Sequence, residues 1–244
     1  MADIIYGRNS VISALIGNNK PLKVLISQRN VDARVLSLCQ KFKIETEMVN
    51  SNILDKKSRG GNHQGVLAYV NEFSYTDFEK ILSRTNDKKD SLLLIFDGLE
   101  DPVNFGSMIR TASCFGVDGI IIMKQRQVQV TPIVRKISTG AEQFVPISRV
   151  TNLSNTIRQL KKAGYWIVAA DGAGKQFYDE VDYSGKIAII IGSEGRGISN
   201  LVLQNSDYVV RIPISGPITS LNAAISGALM LAQVVTYRRR KINK

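Results

Sequence analysis

From residue 91 to the C-terminus the chain alternates short, almost wholly apolar runs with segments of helical periodicity. No other feature restricts the fold as much. The runs are Leu92 to Phe96, Gly119 to Met123, Trp166 to Ala170, Ile187 to Ile191 and Tyr208 to Ile212. Runs apolar at every position, rather than at every second one, belong to strands covered on both faces. The intervening helices are expected at Asn104 to Phe115, Asn152 to Ala163, Ser199 to Gln204 and Leu221 to Arg239. The fold class is therefore α/β, doubly wound around a mostly parallel sheet, with ligands expected at the C-terminal ends of the strands. A dinucleotide-binding fold is the obvious rival. However, no strand runs into G-x-G-x-x-G at a helix start, and Gly195-Arg196-Gly197 lacks the third glycine.

Residues 1 to about 70 alternate shorter patterns: a helix at Ser10 to Ile16, a strand at Leu22 to Ser27, a helix at Val31 to Phe42, and strands at Ile44 to Val49 and Val66 to Val70. This is a second, small α/β domain, 1–72. Within it, residues 56–65 combine three basic residues and three glycines, the composition of an exposed loop. Residues 73–90 show little periodicity in their second half and read as a linker, which leaves 91–244 as the larger domain.

Lys and Arg outnumber Asp and Glu by 32 to 21, a net charge of +11. The excess lies in both domains, ten against five in 1–70 and eighteen against eleven in 91–244. A basic surface spread in this way suits a polyanion that spans both, such as nucleic acid, although solubilising charge alone has the same signature. Cys39 and Cys114 are too far apart for a disulfide framework or a zinc spacing, so both are expected buried and reduced, with no metal. No stretch reaches the ~18 apolar residues of a membrane helix and no leader pattern opens the chain, so a cytoplasmic protein is expected.

Three breaks in the larger domain carry the chemistry. In the first, Asp97 to Asn104 leaves a strand, turns at Gly98 and Pro102 and enters a helix near Asn104, a good N-cap. Arg110 follows Gly106 by one turn on the same face. Its guanidinium can reach across a bare patch at Gly106 to a phosphate, or pair with Glu100 or Asp101. In the second, Gly192-Ser193-Glu194-Gly195-Arg196-Gly197 opens directly from an apolar strand and exposes backbone amides around Glu194. In the third, Ile212-Pro213-Ile214-Ser215-Gly216-Pro217-Ile218-Thr219-Ser220-Leu221-Asn222 ends a strand and starts a long helix that Ser220 or Thr219 can cap. Small residues from Ala223 to Ala228 allow that helix to pack closely.

In this order the three segments resemble the motifs of the SpoU (TrmH) branch of the SPOUT RNA methyltransferases, over nearly all of 91–244. The resemblance implies a deep trefoil knot and S-adenosyl-L-methionine (AdoMet) bound bent within it. It also implies methyl transfer to a ribose 2′-hydroxyl by a homodimer. Under it, Arg110, Asn104, Glu194, Ser220 and Asn222 are catalytic. Gly192, Ser193, Glu194, Gly195, Gly197, Ile212, Ile214, Gly216, Ser220, Leu221 and Asn222 hold the cofactor. The first domain resembles the ribosomal-protein-like extension of the 23S rRNA ribose methyltransferases, through Tyr6-Gly7-Arg8-Asn9 and Asn62-His63-Gln64-Gly65-Val66. That likeness points to RNA contacts at Arg8, Asn9, Lys56, Lys57, Arg59 and Gln64, and to a guanosine of 23S rRNA as the target. A tRNA target, or a non-catalytic RNA-binding or ribosome-assembly protein, remains as the alternative. No DNA or membrane partner is expected. His63 is expected to fix the turn into the last strand, and the Arg238 to Lys241 cluster to be a solvated helix end.

Overall fold

The computed structural model describes residues 2–242, apart from the side chain of Ile242; residues 243 and 244, the end of the span assigned to the larger domain, lie outside the described residues. The contacts divide the chain into two units. One comprises the N-terminal residues to Ser74 with Val130–Phe144, and the other Tyr75–Gln129 with Val145 onward.

The first unit is a four-stranded mixed sheet. β1 (Ala2–Tyr6) and β2 (Lys23–Ser27) both run antiparallel to β4 (Val66–Asn71), and β3 (Glu45–Val49) runs parallel to β2, in the order β1-β4-β2-β3. Helices α1 (Arg8–Ile16) and α2 (Ala33–Phe42) cover one face, burying Val11, Leu15, Val35 and Cys39 against Val24, Ile26, Val66 and Ala68. Asp32 caps α2 by accepting the Val35 N–H at 3.0 Å. Leu54, from α3 (Ser51–Lys57), packs with Leu25, Val49 and Leu67 on the other face.

Segment 130–144, which falls within 91–244 in sequence, joins this unit through α6 (Pro132–Ile137) and a 3-10 turn at Ala141–Gln143. Its centre is Arg135, 1% exposed. The guanidinium donates to Asp3 at 3.1 Å, the Asn71 carbonyl at 3.4 Å and Glu142 at 3.2 Å, and Glu142 also accepts the Ser138 hydroxyl at 2.6 Å. A buried guanidinium is tolerated only with its charge and donors matched, so these partners fix where the segment lies.

The second unit is a seven-stranded, all-parallel sheet in the order β7-β6-β5-β10-β8-β11-β9. The strands are β5 (Ser91–Asp97), β6 (Gly119–Met123), β7 (Ile147–Val150), β8 (Tyr165–Ala170), β9 (Gln176–Phe177), β10 (Lys186–Gly192) and β11 (Tyr208–Arg211). The mostly parallel, doubly covered sheet expected from the apolar runs is therefore present. One face carries α4 (Phe78–Thr85), α7 (Leu153–Lys162) and α8 (Asn200–Asn205), whose Ile81, Ile157, Leu160 and Val202 pack on Leu93, Ile95, Ile121, Ile167 and Ile190. Residues 73–90 are thus not only a linker: α4 sits in them with Phe78 and Ile81 buried, a stripe too short to register as periodicity.

The opposite face carries α5 (Pro102–Cys114) and α9 (Ala223–Ile242), which pack on each other; Phe105 meets Phe96 edge to face at 5.7 Å. Chain order reverses between β5 and β10, because β6 and β7 extend one way and β8 to β11 the other. Such a switch point leaves a crevice at the carboxyl ends of the strands.

Two expectations change. Cys39 is buried, and burial pushes its thiol up to about 11, but Cys114 is exposed on the last turn of α5. Arg238 is not a solvated helix end: it donates to the carbonyls of Tyr183, Ser91 and Gly185 at 3.0, 2.9 and 2.7 Å and pins the end of α9. A cation at a helix C-terminus suits the dipole, and here it also satisfies three carbonyls.

Candidate active site

At Gly192 the backbone leaves β10 and doubles back. Ser193 and Gly197 exchange reciprocal N–H···O bonds of 3.1 and 2.9 Å, closing a tight loop around Glu194 and Gly195. A Cβ at Gly192 would overlap the Gly197 backbone, and Gly197 itself has φ 65°, so glycine is required at both positions. The loop forms one wall of a cleft of about 420 Å³. The ends of β8 and β11, the stretch to Leu221 and the start of α9 form the rest.

Of the residues expected to hold a cofactor, Gly192, Ser193, Glu194, Gly195, Gly197, Ile212, Ile214, Ser220 and Leu221 line this cleft; Gly216 and Asn222 do not. Asp171 and Gly172 line it although the sequence reading passed them over. They follow the apolar run 166–170 just as Gly192 follows 187–191, so the same strand-to-glycine break marks them.

Beside the loop, three polar side chains from distant segments meet. Asn104 donates through Nδ2 to Glu194 Oε1, while Asn222 donates to Asn104 Oδ1 at 3.0 Å and to Glu194 Oε1 at 3.3 Å. Helix capping explains how the two asparagines are presented, and corrects two expectations. Asp101, not Asn104, caps α5 by accepting the N–H groups of Val103 at 3.0 Å and Asn104 at 3.3 Å, with Pro102 in the first turn. Asn222, not Ser220 or Thr219, caps α9 by accepting from Ala224 at 2.9 Å and Ile225 at 3.2 Å. With its oxygen engaged on the helix, Asn222 has its amide N–H groups left for Asn104 and Glu194.

Arg110 is exposed on α5, six residues beyond Asn104, and outside the cleft lining. It forms no hydrogen bond or ion pair among the described residues. Its expected partners are taken: Glu100 accepts from Arg196 at 2.7 Å and Asp101 caps the helix. Gly106 is not a bare surface patch; it is buried, as are Phe105 and Met108 of the same helix.

The sequence comparisons assign this site to a family. Residues 91–232 match the profile described as the SpoU rRNA Methylase family. The chain belongs to that family. Residues 4–76 match a second profile, RNA 2′-O ribose methyltransferase substrate binding. A TrmH family tRNA/rRNA methyltransferase sequence from Staphylococcus saprophyticus is 41% identical over 241 residues, 97% of this chain and 96% of the relative. The Bacillus subtilis relative YacO is 36% identical over 98% of this chain and 96% of its own length. Among solved structures, the AdoMet-bound rRNA methyltransferase of Sinorhizobium meliloti is 26% identical, with a TM-score of 0.79 over 98% of this chain and 87% of its own. The SpoU methyltransferase AviRb of Streptomyces viridochromogenes, solved with AdoMet, shares the fold with a TM-score of 0.82 at 24% identity, over 100% of this chain and 92% of its own.

Within this SpoU protein the residues expected to meet RNA lie in the first unit. Arg8 pairs with Asp32, and its backbone N–H donates to Gln64 Oε1 at 2.9 Å, so Arg8 and Gln64 also brace each other. Lys57 lies 5.3 Å over the Tyr69 ring, whereas Asn9, Lys56 and Arg59 are exposed and their side chains make no hydrogen bond or ion pair among the described residues. His63 fixes the turn, as expected: Nδ1 accepts the Gly65 N–H at 3.0 Å, which leaves Nε2 facing Asp55 at 3.1 Å. Lys136, which sequence reading could not link to this domain, sits 4.4 Å over the Tyr6 ring. Among the described residues no His, Cys, Asp and Glu cluster could hold a metal, and no helix is long and apolar enough to cross a membrane.

Proposed function

We propose that this chain transfers a methyl group from AdoMet to a ribose 2′-hydroxyl of RNA, and that its substrate is a guanosine of 23S rRNA. The observation that carries the reading is the Asn104–Glu194–Asn222 cluster at the rim of a cleft walled by a glycine loop. The cleft fits the cofactor: it has drug-sized volume, exposed backbone amides around Gly195, and apolar walls from Ile212, Ile214 and Leu221. When bound, AdoMet supplies an electrophilic methyl on a sulfonium.

The protein's contribution is positioning, which can be worth about 7 kcal/mol or more. Glu194 and Asn222 fix the amide of Asn104, and Asn222 ties the cluster to the start of α9. Ser220, on the cleft wall, offers a hydroxyl to the substrate or cofactor. Arg110 has no internal partner to release, so it is available to grip an RNA phosphate and polarise the 2′-hydroxyl. An arginine stays protonated, which favours polarisation over proton abstraction. The cofactor contacts proposed are those lining the cleft, with Gly216 and Asn222 supporting from outside it.

The basic first unit, with Asn9, Lys56, Lys57 and Arg59 on its surface, is the RNA-selecting part of this reading, and 91–244 the catalytic part. A cytoplasmic enzyme is the matching location. A trefoil knot is the topology proposed for the C-terminal segment: the chain crosses β8 to reach β11, then returns to lay α9 on β10, and this path supports it.

The enzyme is proposed to be a homodimer through α9. This helix buries Ala224, Gly227, Met230, Leu231 and Val234, while Ile225, 53% exposed, and Leu229 on it and Leu221 just before it are exposed. An apolar ridge of this kind suits a two-fold contact.

Calorimetric titration with AdoMet tests the reading against a non-catalytic RNA-binding protein, which would show no saturable binding. Mapping ribose methylation in 23S rRNA and tRNA from cells lacking the protein then identifies the substrate. Loss of a modification from tRNA alone would refute the rRNA assignment.

A further inference from the structure

The glycine loop has a second side. Ser193, Arg196 and Gly197 also line another cleft, of about 400 Å³, completed by the ends of β5 and β6 and the start of α8. Its far wall is the loop after β6, which is braced by its own glutamines. Gln127, 8% exposed, accepts the N–H groups of Gly98 at 3.1 Å and Leu99 at 2.9 Å through Oε1. Gln129 donates to the carbonyls of Met123 at 3.1 Å and Gln127 at 3.0 Å, and the Val128 N–H reaches the Leu99 carbonyl at 2.8 Å.

This framework holds Arg126 at φ 54°, a left-handed conformation that side chains other than glycine avoid. Nothing in the fold repays the strain through the side chain. Arg126 is exposed and makes no ion pair or hydrogen bond among the described residues. The other charges around the cleft are committed: Arg196 is held by Glu100 at 2.7 Å, and Asp97 accepts the Ser199 N–H at 2.8 Å. A braced loop therefore presents one unpaired cation, with Gln125 beside it, in a cleft separated from the proposed cofactor site only by the glycine loop. An exposed guanidinium without a partner among the described residues, on a braced loop that walls a cleft, is available to an anionic ligand.

We propose that this second cleft is a subsite for the RNA nucleotide adjoining the one that is methylated, with its phosphate on Arg126 and its base against Gln125 and Ser199. The inference rests on the RNA ribose methyltransferase reading above. A single planar cation matches a phosphodiester, amide and hydroxyl groups match a base edge, and a neighbouring nucleotide of the same strand must pass close to the loop that both clefts share.

Arg126→Gly is the appropriate variant, because glycine accepts the φ of this position and the fold should be kept or stabilised. Fluorescence anisotropy with a labelled, short single-stranded RNA of mixed sequence is measured on the full chain across a salt series. The variant is expected to bind about tenfold more weakly at low salt, with the log–log salt slope shallower by about 0.7, as for one lost phosphate contact. Its thermal midpoint should be no lower than that of the unaltered protein, and its AdoMet affinity should stay within about twofold by calorimetry. Equal RNA affinity, or a loss with an unchanged salt slope, overturns the subsite. Failure of the unaltered protein to bind AdoMet, with Arg126-dependent RNA binding intact, would instead refute the methyltransferase reading while supporting an RNA contact at Arg126.

Discussion

Asn222 combines two jobs that one pair of substitutions can separate. Its side-chain oxygen caps α9, and its Nδ2 donates to Asn104 and Glu194. Asn222→Ala removes both. Losing the cap costs about 0.5–2 kcal/mol, equivalent to a fall in melting temperature of roughly 1–8 °C for a chain of this size. Asn222→Asp keeps an oxygen for the Ala224 and Ile225 N–H groups and places a negative charge at a helix N-terminus, worth about 0.3–1 kcal/mol. Against this, it sets a carboxylate where Asn222 now lies 3.3 Å from Glu194. Glu194 is exposed, so solvent reduces that repulsion to about 1 kcal/mol. The stability of the Asp variant should therefore lie within about 1 kcal/mol of the unaltered protein, clearly above that of the Ala variant. Activity should not follow stability. Both variants lack the donor that fixes Asn104 and Glu194, and both should lose at least about tenfold in methyl transfer, near 1.4 kcal/mol of transition-state positioning. Thermal denaturation and transfer of labelled methyl to RNA at saturating AdoMet supply the two readouts. An Asp variant with full activity would refute the cluster as a catalytic element and leave Asn222 as a helix cap alone.

Arg110→Ala should leave stability within about 0.5 kcal/mol, because the side chain has no internal partner, yet lower methyl transfer at least tenfold with unchanged AdoMet affinity; calorimetry and turnover assays check both. Gly192→Ala should displace the 193–197 loop, since its Cβ overlaps Gly197, and weaken AdoMet binding by about tenfold or more, measured by the same titration. Asp118 supplies a pH test. Burial would raise its pKa, but hydrogen bonds from Lys88, the Ser91 hydroxyl and the Leu92 N–H outweigh that and hold it below the usual carboxylate value. A lowered folded pKa means that its stabilisation is present above the ordinary carboxylate pKa and is lost as pH falls through the folded value. Asp118→Asn should accordingly flatten the acid limb of stability in urea titrations below the ordinary carboxylate range, about pH 4.

The interior strands of the larger sheet were legible because burial on both faces makes every position apolar, as in Ile187 to Ile191. Strands that break this rule were not. β7 carries exposed Arg149, β9 has two residues, and β1 ends abruptly at Gly7. Arg135 looks in sequence like any surface arginine; only the long-range partners Asp3 and Asn71 reveal a buried ion cluster and the allegiance of 130–144. The site was readable where glycine and proline interrupt apolar runs, at 98–106, 192–197 and 212–222. The reading failed on which of several capping residues does the capping. Asp101 and Asn104 are both good caps, as are Thr219, Ser220 and Asn222, and local preference cannot choose among them. Tertiary contact decides, because the Asn104 and Asn222 side chains also serve Glu194.

The central claim is the chemical position of the transferred methyl. Protein incubated with isotopically labelled AdoMet and unmodified bacterial 23S rRNA or tRNA, followed by nuclease digestion and mass spectrometry of the nucleosides, reads that position directly. The account predicts label in a 2′-O-methylribose nucleoside, at least about tenfold reduced with Arg110→Ala. Label on a base, or none in any RNA despite saturable AdoMet binding, would contradict it.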